Sequence, residues 1–121
     1  MVFEFNNEQP IYIQLVEQLK TKIISGRLQS GERLPSVREL ALITKVNPNT
    51  MQKALFELEE MGLVFTERTN GKFVTTDTSL IEKIRQDYAK SICDKYFKNM
   101  LKIGIDENSA KEYLRRNGGQ D

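Results

Sequence analysis

Leu34-Pro-Ser-Val-Arg-Glu-Leu-Ala41, then Val46-Asn-Pro-Asn-Thr-Met-Gln-Lys-Ala-Leu55, then a turn signal at Asn70-Gly71, is the stretch of this 121-residue chain that decides its fold. Ser36 and Glu39 have capping-box spacing, in which the Ser hydroxyl accepts from the third helical N–H and the Glu reaches back. They predict a helix over Val37 to Thr44 with Val37, Leu40, Ala41 and Ile43 turned inward. Lys45-Val46 is the turn that follows. Asn47 suits a helix cap, and Pro48 suits the first helical position, where its fixed φ helps and its missing N–H costs nothing. Met51, Ala54, Leu55, Leu58 and Met61 make the buried stripe of this next helix, closed by Gly62 in the left-handed conformation. The same spacing leaves Asn49, Thr50, Gln52 and Lys53 off the core at the amino end. Leu63–Arg68 and Lys72–Thr76 are β-prone, and Asn70-Gly71 predicts a hairpin turn with φ positive at both residues.

Two short capped helices followed by a two-stranded ribbon is the layout of a winged helix-turn-helix, which sets one helix into the major groove of DNA. Upstream, Pro10 stands at the first position of a helix over Ile11 to Ser25. Tyr12, Leu15, Val16, Leu19, Ile23 and Ile24 face inward, Gln14, Glu17, Gln18 and Lys22 form the polar face, and Gly26 ends it. Downstream, Ser79-Leu-Ile-Glu82 reads as a second capping box opening a long helix from Leu80 to Ile103. Leu80, Ile84, Tyr88, Ile92, Tyr96 and Met100 form one apolar row. Ile81, Ala89, Cys93, Phe97 and Leu101 form the next. So wide a stripe calls for a partner surface. Gly104 ends this helix. Asp106 caps a last one carrying Ala110, Tyr113 and Leu114, which frays at Gly118-Gly119. The expected fold is mainly α with a small β-hairpin: a winged helix-turn-helix domain over residues 9–77, then a two-helix dimerisation tail over 78–121.

Composition bounds the function. With 39% hydrophobic and 29% charged residues, the chain has an ordinary globular balance. Its opening residues carry no basic, apolar secretory pattern, and its single cysteine suits a reducing compartment, so a cytoplasmic location is expected. No apolar run approaches a membrane span. Net charge is +1, split as −1 over residues 1–78 and +2 over 79–121. Bulk charge therefore does not suggest nucleic acid. Distribution does: Arg38, Lys45, Lys53, Arg68 and Lys72 fall on the elements that would face DNA, whereas Glu57, Glu59 and Glu60 fall at the far end of the third helix. Catalysis finds no support. There is no histidine, no Gly-rich phosphate loop and no ligand set for zinc, so no enzyme activity, metal or cofactor is expected.

These residues resemble the GntR family of bacterial transcription regulators. The resemblance rests on Pro10-Ile11-Tyr12, Gly26-x-Leu28, Gly31-x-x-Leu34-Pro-Ser-x-Arg-Glu-Leu-Ala41, Val46-Asn47, Asn49-Thr50, Ala54-Leu55, Leu58-Glu59, Gly62-Leu63 and Gly71-x-Phe73-Val74. The short tail resembles that of the small YtrA-like branch, which implies dimerisation and leaves no room for a full effector domain. The resemblance implies that Arg38 contacts DNA, where a guanidinium can fork onto guanine or clamp a phosphate. Ser36 and the amino end of its helix suit a phosphate. Asn47, Asn49 and Thr50 lead the recognition helix. Asn49 and Gln52 are candidate adenine readers, and Lys53 suits backbone contact. Arg68, Thr69, Asn70, Gly71 and Lys72 form a wing that would reach the flanking minor groove or its phosphates. Two positions depart from the family pattern: Pro48 stands where arginine is usual, and Thr69 near a wing position that is often glycine.

The function expected is a sequence-specific repressor that binds a palindromic operator in double-stranded DNA as a homodimer. Ile84, Tyr88, Ile92, Tyr96, Phe97 and Met100 form the dimer seam, Cys93 lies covered in core or interface, and an unidentified small-molecule effector is a further partner. The alternative is a protein-interaction adaptor built on the same winged helix, which the near-neutral amino-terminal charge favours. RNA binding ranks lower, because the reading surface offers only Phe56 for base stacking.

Overall fold

Caps and apolar spacing become the element order α1 (Ile11–Ile24), α2 (Val37–Thr44), α3 (Pro48–Glu60), β1 (Val64–Glu67), β2 (Gly71–Val74), α4 (Thr78–Lys102) and α5 (Glu107–Asn117). They are seen in a computed structural model that describes residues 1–118. The expected fray at Gly118-Gly119 lies partly outside the described residues. Two units are distinguished, Met1–Arg85 and Gln86–Asp121.

In the first unit, α1, α2 and α3 enclose a core of Leu15, Leu19, Leu40, Met51, Leu55 and Leu58, closed by Leu63 just before β1 and by Val74 at the end of β2. α2 begins as the sequence predicts. The Glu39 N–H donates to Ser36 Oγ at 3.1 Å, and the Ser36 N–H donates to Glu39 Oε1 at 2.9 Å. The Ser36 N–H first, then its hydroxyl, hold the Glu39 carboxyl below the ordinary carboxylate range. A lowered folded pKa gives stability that is present above the unfolded value and lost as pH falls through the folded one. Ser36→Ala is expected to cost about 1 kcal/mol at neutral pH. In thermal melts that difference from wild type narrows as pH drops through the acid range.

α3 also follows its local signals: Asn47 Oδ1 accepts from the Asn49 N–H at 2.7 Å and Pro48 opens the helix. Between α2 and α3, Lys45 takes a left-handed φ of 58°. Three side chains differ from their expected burial. Ile43 is exposed and Thr44 is buried in its place, its hydroxyl donating to the Leu40 carbonyl at 2.8 Å. On α1, Gln14 is buried at 7% exposure rather than solvated. Its amide accepts from the Asn6 N–H and donates to the Asn6 and Gln9 carbonyls. With Gln18 on Glu4 and Lys22 on the Val2 carbonyl, it straps residues 2–6 along the helix, and Phe3 and Phe5 pack against the core. Pro10 sits at the cap of α1 rather than at its first position.

The ribbon pairs Val64 with Val74, Phe65 with Phe73, Thr66 with Lys72 and Glu67 with Gly71. The loop is therefore Arg68-Thr69-Asn70, one residue longer than the expected turn. Gly71 has a φ of 102°, while Asn70 does not take positive φ. Register decides this. A two-residue turn at Asn70-Gly71 would set Val64 opposite Asp77, whereas the observed pairing sets it opposite Val74, and both valines are buried. Residues 32–34 flank the other edge of β2. The Leu34 N–H donates to the Lys72 carbonyl and the Val74 N–H to the Glu32 carbonyl, both at 2.8 Å, leaving Arg33 opposite Phe73.

α4 starts before the expected capping box. Asp77, its own N–H held by Thr75 Oγ1, accepts from the Leu80 N–H at 3.0 Å and caps the helix, so Ser79 lies inside it. An Asp cap satisfies the same orphan donors two residues earlier. Ile84, expected in a dimer seam, packs with Ile81 against the core of its own unit. In the second unit, the Tyr96 hydroxyl donates to the Ala110 carbonyl at 2.7 Å, tying α4 to α5 over the buried Ala110. Asp106 caps α5 as expected. Tyr113 and Leu114 are exposed, and so is Cys93 within this chain. Among the described residues, no helix is long and apolar enough to cross a membrane.

Candidate nucleic-acid interface

One face of α3 is fixed by burial: Met51, Ala54, Leu55 and Leu58 are sealed in the core. The helix cannot turn about its axis, so Asn49 and Gln52 must point outward and Thr50 stays half-covered at the edge. No hydrogen bond or ion pair engages the side chains of Asn49, Thr50 and Gln52 among the described residues. Arg38, in the first turn of α2, is likewise exposed and unpaired there. The neighbouring Glu39 is taken by Ser36, so no Arg38–Glu39 surface pair forms. An uncommitted guanidinium and two uncommitted amides on rigid helices are groups that base edges and phosphates can satisfy.

The other expected contacts are partly spent inside the chain. Asn47 uses its carbonyl oxygen as the cap. Ser36 and Glu39 consume their main-chain N–H groups on each other, leaving those of Val37 and Arg38 at the start of α2. Lys53 sets its ammonium 3.8 Å from the centroid of the Tyr12 ring on α1, a cation–π contact that draws it toward the core side.

On the wing, Arg68, Thr69 and Asn70 occupy the exposed loop, with the Asn70 amide donating to Glu67 Oε2 at 3.0 Å. Lys72 does not join them. Its ammonium lies 3.3 Å from Glu59 Oε1 on α3 and 2.9 Å from Thr66 Oγ1 on β1, and Thr66 also bonds Glu59. The Lys72 side chain is only 15% exposed. Glu59, which the sequence placed at the distant end of α3, thus ties both strands of the wing to the recognition helix. This pairing crosses three elements, and no sequence spacing announces it.

Sequence reasoning also passed over Arg33. A Cβ built at Gly71 would lie 3.6 Å from its Nε and Nη2, so the Arg33 guanidinium rests against the base of the wing loop.

Of the residues expected at the dimer seam, Ile92 is 57% exposed, Tyr96, Phe97 and Met100 are half-covered, and Tyr88 is half-buried with intramolecular contacts. Tyr96 and Phe97 meet edge-on with centroids 5.3 Å apart.

The model of the family "Bacterial regulatory proteins, gntR family" matches residues 11–74, which run from α1 through the second strand of the wing. The transcriptional repressor YtrA of Bacillus subtilis strain 168 is 38% identical over 112 residues, covering 88% of this chain and 82% of YtrA. Among solved structures, a GntR family transcriptional regulator from Listeria monocytogenes superposes with a TM-score of 0.86 at 38% identity, covering 93% of this chain and 98% of that one. The AraR DNA-binding domain in complex with operator ORX1 superposes with a TM-score of 0.57 at 25% identity, covering 62% of this chain and 96% of that one.

Proposed function

The chain belongs to the gntR family of bacterial regulatory proteins, and from that premise we propose that it represses transcription by occupying a palindromic operator as a homodimer. It is a transcriptional regulator with a DNA-binding domain. The observation that carries the finer reading is the set of uncommitted polar side chains, Arg38, Asn49 and Gln52, held outward by a helix pair whose opposite face is sealed. Arg38 forks onto a guanine or clamps a phosphate. Asn49 and Gln52 read bases, while Ser36, Asn47, Thr50 and Lys53 contact the flanking backbone. Arg68, Thr69, Asn70 and Gly71 reach the adjacent minor groove. The similarity to YtrA, itself named a repressor, supports the sign of regulation. The similarity to a domain solved on an operator supports the ligand.

Dimerisation is argued from the second unit, where Ile92, Leu101 and Ile103 are 57%, 66% and 70% exposed. Large apolar groups left this exposed along the carboxy-terminal half of α4 and just past it are normally covered by another surface. A two-fold pair of recognition helices spans about 34 Å, one turn of DNA, which requires an approximate inverted repeat. Release from the operator then follows from an unidentified small molecule that favours a different dimer geometry.

A titration of the protein against its own promoter fragment and against scrambled DNA, across a range of salt, tests the proposal. The expected result is preference for an inverted repeat at every salt concentration, on a steep salt dependence common to both DNAs. Equal affinity for both at every salt favours the adaptor reading instead, for which the net charge of −1 over residues 1–78 is the supporting observation.

A further inference from the structure

Six cations lie on or near the elements that face DNA in the proposed reading: Arg33, Arg38, Lys45, Lys53, Arg68 and Lys72. They are not equivalent. Lys72 is held by Glu59 and Thr66, and its charge is neutralised where it stands. Lys53 sits over Tyr12. Arg33, Arg38, Lys45 and Arg68 are exposed and have no ion pair or hydrogen bond from their side chains among the described residues.

Arg33 is the one that no motif marked. Its main chain is fixed at the outer edge of β2, opposite Phe73, by the hydrogen bonds of Glu32 and Leu34 on either side. Its guanidinium rests against Gly71, the left-handed residue that closes the wing loop, within ordinary contact distance of where a Cβ would stand. The Arg33 charge also reaches Glu39 beside Arg38, helping to keep that carboxyl ionised. The guanidinium therefore stands at the base of the wing, on a residue three positions ahead of the Ser36 cap of α2.

We infer that Arg33, not Lys72, supplies the phosphate contact at the base of the wing, and that Lys72 is a positioning residue which, with Glu59 and Thr66, clamps the wing to the recognition helix. The inference rests on the DNA-binding reading above and refines which groups meet the backbone. A planar guanidinium with its donors uncommitted can fork onto a phosphate. An ammonium already paired with a carboxylate must first break that pair, so its net gain on reaching DNA is small.

The test compares Arg33→Ala, Arg33→Lys and Lys72→Met with wild type, reading binding to operator and to random duplex from 0.1 to 1 M salt. One lost phosphate contact lowers the slope of log K against log salt by about 0.9, which over that decade is roughly an eightfold loss at the low-salt end. Arg33→Ala is expected to show this loss on both DNAs alike, and Arg33→Lys to restore the slope. Lys72→Met is expected to leave the slope unchanged while lowering affinity on operator and the protection of the wing amides from hydrogen exchange. An unchanged slope in Arg33→Ala, or a slope reduced by about 0.9 in Lys72→Met, overturns the inference. Because the slope can be read on random duplex, it is decided separately from whether wild type prefers an operator. The Arg33 side chain is exposed and its ladder bonds are main-chain, so the alanine variant is expected to melt with wild type.

Discussion

Arg38→Ala is expected to lose about 1–3 kcal/mol of operator binding, which raises Kd by roughly five- to 150-fold. The protein itself should be almost untouched. Arg38 is exposed, with no intramolecular partner among the described residues, and α2 is held by its capping box and by Leu40 and Ala41 in the core. A surface change of this kind moves stability by about 0.5 kcal/mol or less. Fluorescence anisotropy with labelled operator, alongside a thermal melt, separates binding from folding. Arg38→Lys divides two modes of contact. A point charge at a phosphate survives the change, while a bidentate fork on guanine does not. If Arg38→Ala binds operator as tightly as wild type, the reading head does not include α2 and the proposed interface is misplaced.

Ile92→Glu is expected to yield a monomer and to weaken operator binding by about 10²–10⁴-fold, the avidity lost when two linked half-site contacts become one. Ile92 suits the test because it is exposed and supports no core within its own chain, and glutamate is a good helix former. Tyr96 suits it less. Its hydroxyl holds the Ala110 carbonyl, so a charge there would disturb α5 as well as any seam. Light scattering gives the mass, and circular dichroism checks that α4 remains helical. A variant that still dimerises moves the interface off this part of α4. A monomer that keeps full operator affinity removes the two-fold argument for a palindrome.

Local signals were legible in the chain. The capping box at Ser36–Glu39, the Asn47-Pro48 start of α3, the stop at Gly62 and the Asp106 cap all come from groups within four residues of one another, and each is found where its spacing places it. The outward set of α3 was legible for the same reason, since 3.6 residues per turn fixes which side chains oppose a buried stripe. Competing local signals were harder. Asp77 and Ser79 both suit a cap, and the earlier one begins α4. Ile43 and Thr44 lie side by side at the end of α2, and the shorter Thr44 takes the buried place because its hydroxyl has the Leu40 carbonyl within reach.

By itself, then, the sequence determined the helices, the caps of α2, α3 and α5 and the existence of a winged reading head, because those follow from neighbours along the chain. Tertiary structure alone decided the rest. It set the wing loop at three residues, because two distant valines had to meet in the core. It turned Gln14 inward to hold an amino-terminal strap that no periodicity marks. It paired Lys72 with Glu59, set Lys53 over Tyr12 while leaving it exposed, and left Arg33, Arg38, Lys45 and Arg68 without an ion pair among the described residues. Whether a charge is available depends on what lies across from it in space, and the partners here stand on different elements, 13 residues apart for Lys72 and Glu59 and 41 for Lys53 and Tyr12.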